Sequence, residues 1–303
     1  MTVSTHPRRA RTHVTGAASA AVRPVLESPR RRARVLAAFP AGIYLEVRTD
    51  LEPSVIAIIT GEATRLPNSV LLAADLPHVT VGDDASVGEG TIELGRLSLR
   101  ARRWWDPAPP LAPVDPVRLA VSLDPARPAD PARPADPARP APGLAGHQAI
   151  ELLAESCARG WLLGVVTAAE QLIGLGPGLT PSGDDVLAGL LVTLRHLGRS
   201  AGVERAVWLA DWLAATVTYD AGTRTTPLSA TLLHCAARGE SCPEVTGVLR
   251  ALTGRGALEP AVSRLCRLGH TSGADLAQGV GIGLAAVRAL AADPVPPALA
   301  GAR

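Results

Sequence analysis

Residues 174–190 read Gly-Leu-Gly-Pro-Gly-Leu-Thr-Pro-Ser-Gly-Asp-Asp-Val-Leu-Ala-Gly-Leu. Five glycines and two prolines surround Thr180, Ser182, Asp184 and Asp185, and the apolar run 186–194 follows at once. Glycine adopts φ > 0 at little cost, so such a loop can turn its backbone N–H groups inward. The composition predicts a loop that enters a helix near Asp185, with Ser182 or Asp184 as N-cap. Free N–H donors and the positive end of a helix dipole suit an anion at such a corner. A plain helix-capping turn is the alternative reading of the same residues.

A second stretch, 269–279, reads Gly-His-Thr-Ser-Gly-Ala-Asp-Leu-Ala-Gln-Gly. Both fit Ser-Gly-x-Asp-x-x-x-Gly: Ser182, Gly183, Asp185 and Gly189 match Ser272, Gly273, Asp275 and Gly279. A spacing of four places the Asp and the last Gly on one helix face, where the Gly permits close packing. The expected picture is two similar loop-to-helix corners facing one pocket, or else a duplicated capping device in a helical domain.

The first motif, together with the later Leu-Gly-His-Thr-Ser-Gly-x-Asp, resembles the family of the AllH subunit of oxamate carbamoyltransferase, from about Ile43 to about Leu290 with a gap at a proline-rich insert. The resemblance implies an enzyme subunit that works with other subunits, exchanging oxalurate and phosphate for oxamate and carbamoyl phosphate in allantoin breakdown. It brings no catalytic residues with it.

From the residues themselves, the candidates for chemistry are Asp185, Asp275 and His270. Asp184 and Asp185 are adjacent, so on a helix they point about 100° apart and cannot both face one ligand. Asp185 has a match in Asp275, and capping is the simpler role for Asp184. His270 adjoins the second corner and can serve as acid, base or hydrogen-bond donor. The candidate substrate-binding residues are Gly176, Gly178, Thr180, Ser182, Gly183, Asp184, Thr271, Ser272 and Gly273. Ser229 joins them from the segment Thr225–Ser229, which resembles a family segment, as does Arg224, a natural partner for carboxylate or phosphate. No cofactor or metal is assigned; Mg²⁺ held by Asp185 and Asp275 is compatible with its preference for one or two carboxylates plus waters.

Outward from the motifs, the chain after His147 reads as helical, with segments at 150–166, 186–197, 203–217, 228–237, 244–252, 258–268 and 276–291. Gly198, Gly239, Gly254 and Gly269 sit where helix C-caps belong. No strands intervene, which disfavours the parallel sheet that a ribokinase-like phosphotransferase, loosely similar at Ser-Gly-Asp-Asp-x-x-x-Gly, would need. Before this region Asp-Pro-Ala-Arg-Pro-Ala occurs three times at 124–141, a pattern that predicts a polyproline-like spacer. Residues 35–105 alternate in short segments at 42–48, 54–60, 70–73, 78–81, 90–94 and 96–100, predicting a small antiparallel sheet or barrel. Trp104 and Trp105 close it.

The expected architecture is α+β: a leader at 1–35, disordered and arginine-rich; a β domain at 36–112; a linker at 113–145; a larger helical domain at 146–292; and a tail at 293–303. No signal-peptide core or bilayer-length segment is read, so the expected location is cytoplasmic. All thirty basic residues among the 303 are arginine. Without lysine, Walker-type phosphate loops and Schiff-base chemistry are excluded. Aromatics are 3% and form no stripe with basic residues, so neither nucleic acid nor membrane is an expected partner. The four cysteines show no metal spacing and read as reduced and partly buried. The expected partners are a small anionic substrate (phosphate, carbamoyl phosphate or a small carboxylate) and other subunits. A subunit that binds a small carboxylate without catalysis is the alternative class.

Overall fold

The computed structural model describes residues 11–108, 110–119 and 140–292. It divides into two compact units at Pro107 and Ala108.

The first unit is a closed eight-stranded barrel built from β1 (Thr12–Ser19), β2 (Arg31–Phe39), β3 (Gly42–Val47), β4 (Val55–Ile59), β5 (Ser69–Leu72), β6 (Asp84–Gly88), β7 (Thr91–Leu94) and β8 (Leu97–Trp105). The strand order is β1-β5-β4-β3-β2-β6-β7-β8. Closure makes β1 and β8 neighbours in parallel, and β4 and β5 also pair in parallel; the other pairs are antiparallel. A short helix α1 (Arg23–Leu26) follows β1 and buries Val25 and Leu26. Leu45, Ile56, Ile58, Val70, Ile92 and Leu99 are at most 1% exposed and fill the interior, as expected of a small barrel whose inward residues leave no lumen.

Several boundaries need correction. Residues 12–35 are not a leader: they supply β1, α1 and the first half of β2. Residues 78–81 form no strand, and β6 runs from Asp84 to Gly88, between the segments expected at 78–81 and 90–94. Trp104 and Trp105 lie half-buried at the end of β8 with Arg23 and Arg65 over their rings. The repeats at 124–141 fall almost wholly outside the described residues.

The second unit is helical: α2 (Gln148–Arg159), α3 (Leu162–Leu172), α4 (Ser182–Ser200), α5 (Glu204–Arg224), α6 (Pro227–Ala237), α7 (Pro243–Leu252), α8 (Leu258–Cys266) and α9 (Ser272–Ala292). Among its described residues there is no strand, so the sheet required by a ribokinase-like fold is not found there. The single helix expected at 150–166 is two, because Gly160 takes φ 65° and ends α2. Gly198 is not a cap; α4 runs through it to Ser200. Gly239, Gly254 and Gly269 do lie at positive φ just past helix ends.

α4 and α9 form the central pair, with α2, α5, α6 and α8 packed around them. By length and composition α9 is apolar enough to cross a membrane, contrary to the expectation that no segment is, but 61% of its apolar window is buried inside the protein. Its apolarity is that of a core helix. α4 and α9 run parallel, because contacts advance together along both: Gly189 meets Leu276, Gly279 meets Val186 and Leu190, and Gly283 meets Thr193.

Candidate functional site

Parallel packing brings the N-termini of α4 and α9 together, and each is entered by one of the two sequence motifs. The corners share their backbone construction. Gly183 N–H donates to Leu175 O and Gly273 N–H to Leu268 O, both at 2.9 Å. A Cβ on Gly183 would come closer than 3.0 Å to the carbonyl oxygen of Leu172, and one on Gly273 to that of Leu265. One turn on, a Cβ on Gly189 would strike the Leu276 carbonyl and one on Gly279 the Val186 carbonyl. The matched glycines are therefore required by close backbone approach, first to the preceding helix and then to the partner helix.

The expected caps need correction. α4 starts at Ser182 with Pro181 as its N-cap, so neither Ser182 nor Asp184 caps it. The two serines instead reach across. The Ser182 hydroxyl lies close enough to Asp275 of the second corner to lower its pKa, and the Ser272 hydroxyl acts likewise on Asp185 of the first. Thr180 also acts on Asp185 and its Oγ1 lies 3.0 Å from Ser272 Oγ; Thr271 acts on Asp275. Each corner thus sets its serine hydroxyl beside the other corner's carboxylate.

Asp184 and Asp185 part company as helix geometry requires. Asp184, 1% exposed, is saturated: Oδ1 accepts from Gly174 N–H at 2.8 Å, and Oδ2 from the Ser229 hydroxyl at 2.6 Å and from that of Thr225. It ties the glycine loop to α4 and α6. Asp185 and Asp275, 7% and 0% exposed, keep one oxygen each, Oδ2, buried without a hydrogen-bond partner. Oδ1 of Asp275 accepts from Gly143 N–H at 2.7 Å. Burial pushes the Asp185 carboxyl well above the usual carboxylate range, the charges of Asp275 and Asp184 push the same way, and the Ser272 and Thr180 hydroxyls only partly offset them. Burial also raises Asp275, against the pull of Ser182, the Gly143 amide and Thr271.

Other candidates stand apart from the pair. Arg224 is exposed and turned to Asp220 and the Glu170 carbonyl; only its backbone carbonyl approaches the loop, beside Gly174. His270 is exposed and makes no hydrogen bond to either carboxylate. Gly176 and Gly178 take φ of 121° and 94° on the exposed part of the first loop. Among the described residues no ion pair reaches Asp185 or Asp275, so a bare anion at the junction would meet two carboxylates and no cation.

Gly143 was not anticipated. It lies in the segment 140–147 that leads into α2, exposed on its outer side, and a Cβ there would strike Ser182 Oγ. Through Gly143 that segment rests on Asp275 and Ser182. Thr225 is the other unanticipated member, through Asp184. Separately, a cleft of about 1030 Å³ on the barrel is lined by Thr60, Glu62, Asp75, His78, Arg102 and Arg103 among others, none from either corner.

The model of a known family, described as oxamate carbamoyltransferase subunit AllH, covers both corners. Residues 172–284 match it. The AllH match opens at the last residue of α3, where the Gly183 contact begins, and ends within α9 beyond Gly283. The barrel, α2 and the segment bearing Gly143 lie outside the AllH match. No solved structure matches the chain.

Proposed function

We propose that this chain is a subunit of a carbamoyltransferase and that the Asp185–Asp275 pair is its reacting centre. The observation that carries the reading is the pair itself: two buried carboxylates, flanked by Ser272 and Ser182, each with an unpartnered oxygen. The AllH match across both corners supplies the reaction class. Carbamoyl exchange between an amide nitrogen and phosphate breaks a C–N bond as a phosphate oxygen attacks the carbamoyl carbon, and the departing nitrogen needs a proton. In the reverse direction the attacking nitrogen gives one up.

A carboxyl whose pKa is raised by burial and by a second carboxylate retains a proton where an ordinary Asp would have lost it, the property required of a general acid. In this reading Asp185 delivers the proton to the leaving nitrogen and Asp275 holds it in place electrostatically. The exposed amides of the Gly176–Gly178 loop supply donors for the developing oxyanion. Other subunits, in keeping with the family's description, complete the anion-holding part, because among the described residues no arginine is paired with the carboxylates.

The test measures carbamoyl phosphate formed from oxalurate and phosphate by the full chain, alone and together with the proteins that co-purify with it. Asp185→Asn and Asp275→Asn are expected to lower kcat by about 10²–10⁴-fold, the range of a lost general acid, with unchanged circular dichroism. Full activity in both variants, or none in the wild-type complex, would sink the reading. Saturable oxamate binding without turnover in that complex would favour the non-catalytic subunit instead.

A further inference from the structure

We propose that Asp185 and Asp275 jointly hold one hard divalent cation of the Mg²⁺ class, each through its Oδ2. The proposal rests on the functional reading for the place of the reacting centre and replaces its proton donor: with a cation bound both carboxylates are ionised, and Asp185 does not act as the acid.

Buried polar atoms are almost always satisfied, and buried charges are paired or bind metals. Here two carboxylate oxygens from different helices meet neither condition, and the charge of Asp275 is close enough to act on Asp185. Their other contacts look like the fixing of a ligand set. Gly143 N–H holds Asp275, with the Thr271 and Ser182 hydroxyls close by, while the Ser272 and Thr180 hydroxyls flank Asp185. Such outer contacts are what hold ligating carboxylates in place.

The charge balance also favours a cation. Each helix N-terminus contributes about half a positive charge, so the two parallel ends together oppose only about half of what two carboxylates carry. Asp184 adds negative charge behind them, partly quenched by three donors. The surrounding groups are all oxygen donors: four hydroxyls and two carboxylates. Imidazole and thiolate take no part, which excludes the softer metals and leaves Mg²⁺ or Mn²⁺, satisfied by two carboxylates with water or substrate oxygens completing the shell. A cation there would also let an anionic substrate approach an otherwise acidic junction.

The probe is Mn²⁺, followed by loss of its free-ion paramagnetic resonance signal on titration into the full wild-type chain, with Mg²⁺ as competitor. One Mn²⁺ per chain is expected, displaced by Mg²⁺. Ser182→Ala and Ser272→Ala, which leave both carboxylates in place, are expected to weaken binding by about 10–100-fold, and Asp185→Asn or Asp275→Asn by at least as much. Wild-type protein that leaves the Mn²⁺ signal unchanged, or Asp→Asn variants that bind as well as wild type, would overturn the proposal. Carbamoyl transfer that persists in EDTA would do the same while leaving the functional reading intact. Mn²⁺ bound at the pair without any transfer activity would keep the cation site and remove that reading.

Discussion

At the scale of single residues, three aspartates within one helix-pair junction have two different fates. Asp184 has a full set of donors and acts as a tie. Asp185 and Asp275 are held just short of satisfaction, which costs stability and is typical of working groups. Asp185→Asn removes the charge and keeps an oxygen beside the Ser272 and Thr180 hydroxyls. In EDTA at neutral pH its melting temperature should exceed that of wild type. The sign follows from linkage: the folded state binds the Asp185 proton more tightly than the unfolded chain, whose carboxyl titrates at about 4. Wild-type stability therefore falls as pH rises through the raised folded value, and the mutant's advantage should vanish in acid, where both states are protonated. A mutant that melts below wild type at neutral pH would contradict this account.

Much of this was legible. The repeated Ser-Gly-x-Asp-x-x-x-Gly spacing marks both corners, and the 100° separation of adjacent helical residues told the two aspartates apart. Gly143 was not legible, because it meets Asp275 across 132 residues of chain and lies just past the proline-rich repeats. Nor was the exchange of serines, since capping is the local rule and the crossing exists only once the corners face each other.

At the scale of elements, the α4–α9 pair depends on backbone meeting backbone. Gly→Ala in an exposed helix interior ordinarily stabilises by up to about 1 kcal/mol. Gly247 in α7 has open space where its Cβ would go, and Gly247→Ala should show that gain. Gly279→Ala should do the opposite. Its Cβ would press on the Val186 carbonyl, and overpacking of about 1–3 kcal/mol should lower the melting temperature by about 2–4 °C per kcal/mol. Similar shifts for the two variants would mean that the helices are less tightly apposed than described. The strand β1 shows why other elements escaped reading: Thr-His-Val-Thr-Gly-Ala-Ala-Ser carries one branched apolar residue, and its partners β5 and β8 lie some fifty and eighty residues on. Only closure of the barrel makes it a strand.

At the scale of the molecule, the barrel and the helical unit each carry a separate hydrophobic core. Removal of residues 1–107 should leave a helical, cooperatively melting protein that retains every residue of both corners. A deletion product without a cooperative transition would show that the helical unit needs the barrel to fold.

The four cysteines, all free and buried, have a practical consequence. Burial pushes the Cys157 and Cys242 thiols up to about 12, where the reactive thiolate is scarce at neutral pH. The native chain is thus close to silent toward maleimide dyes. A cysteine introduced at exposed Ala145, two residues from the amide that rests on Asp275, would accept a single fluorophore without first stripping the natural thiols. Light from that one position would report whether the strand of chain around Gly143 stays seated on Asp275.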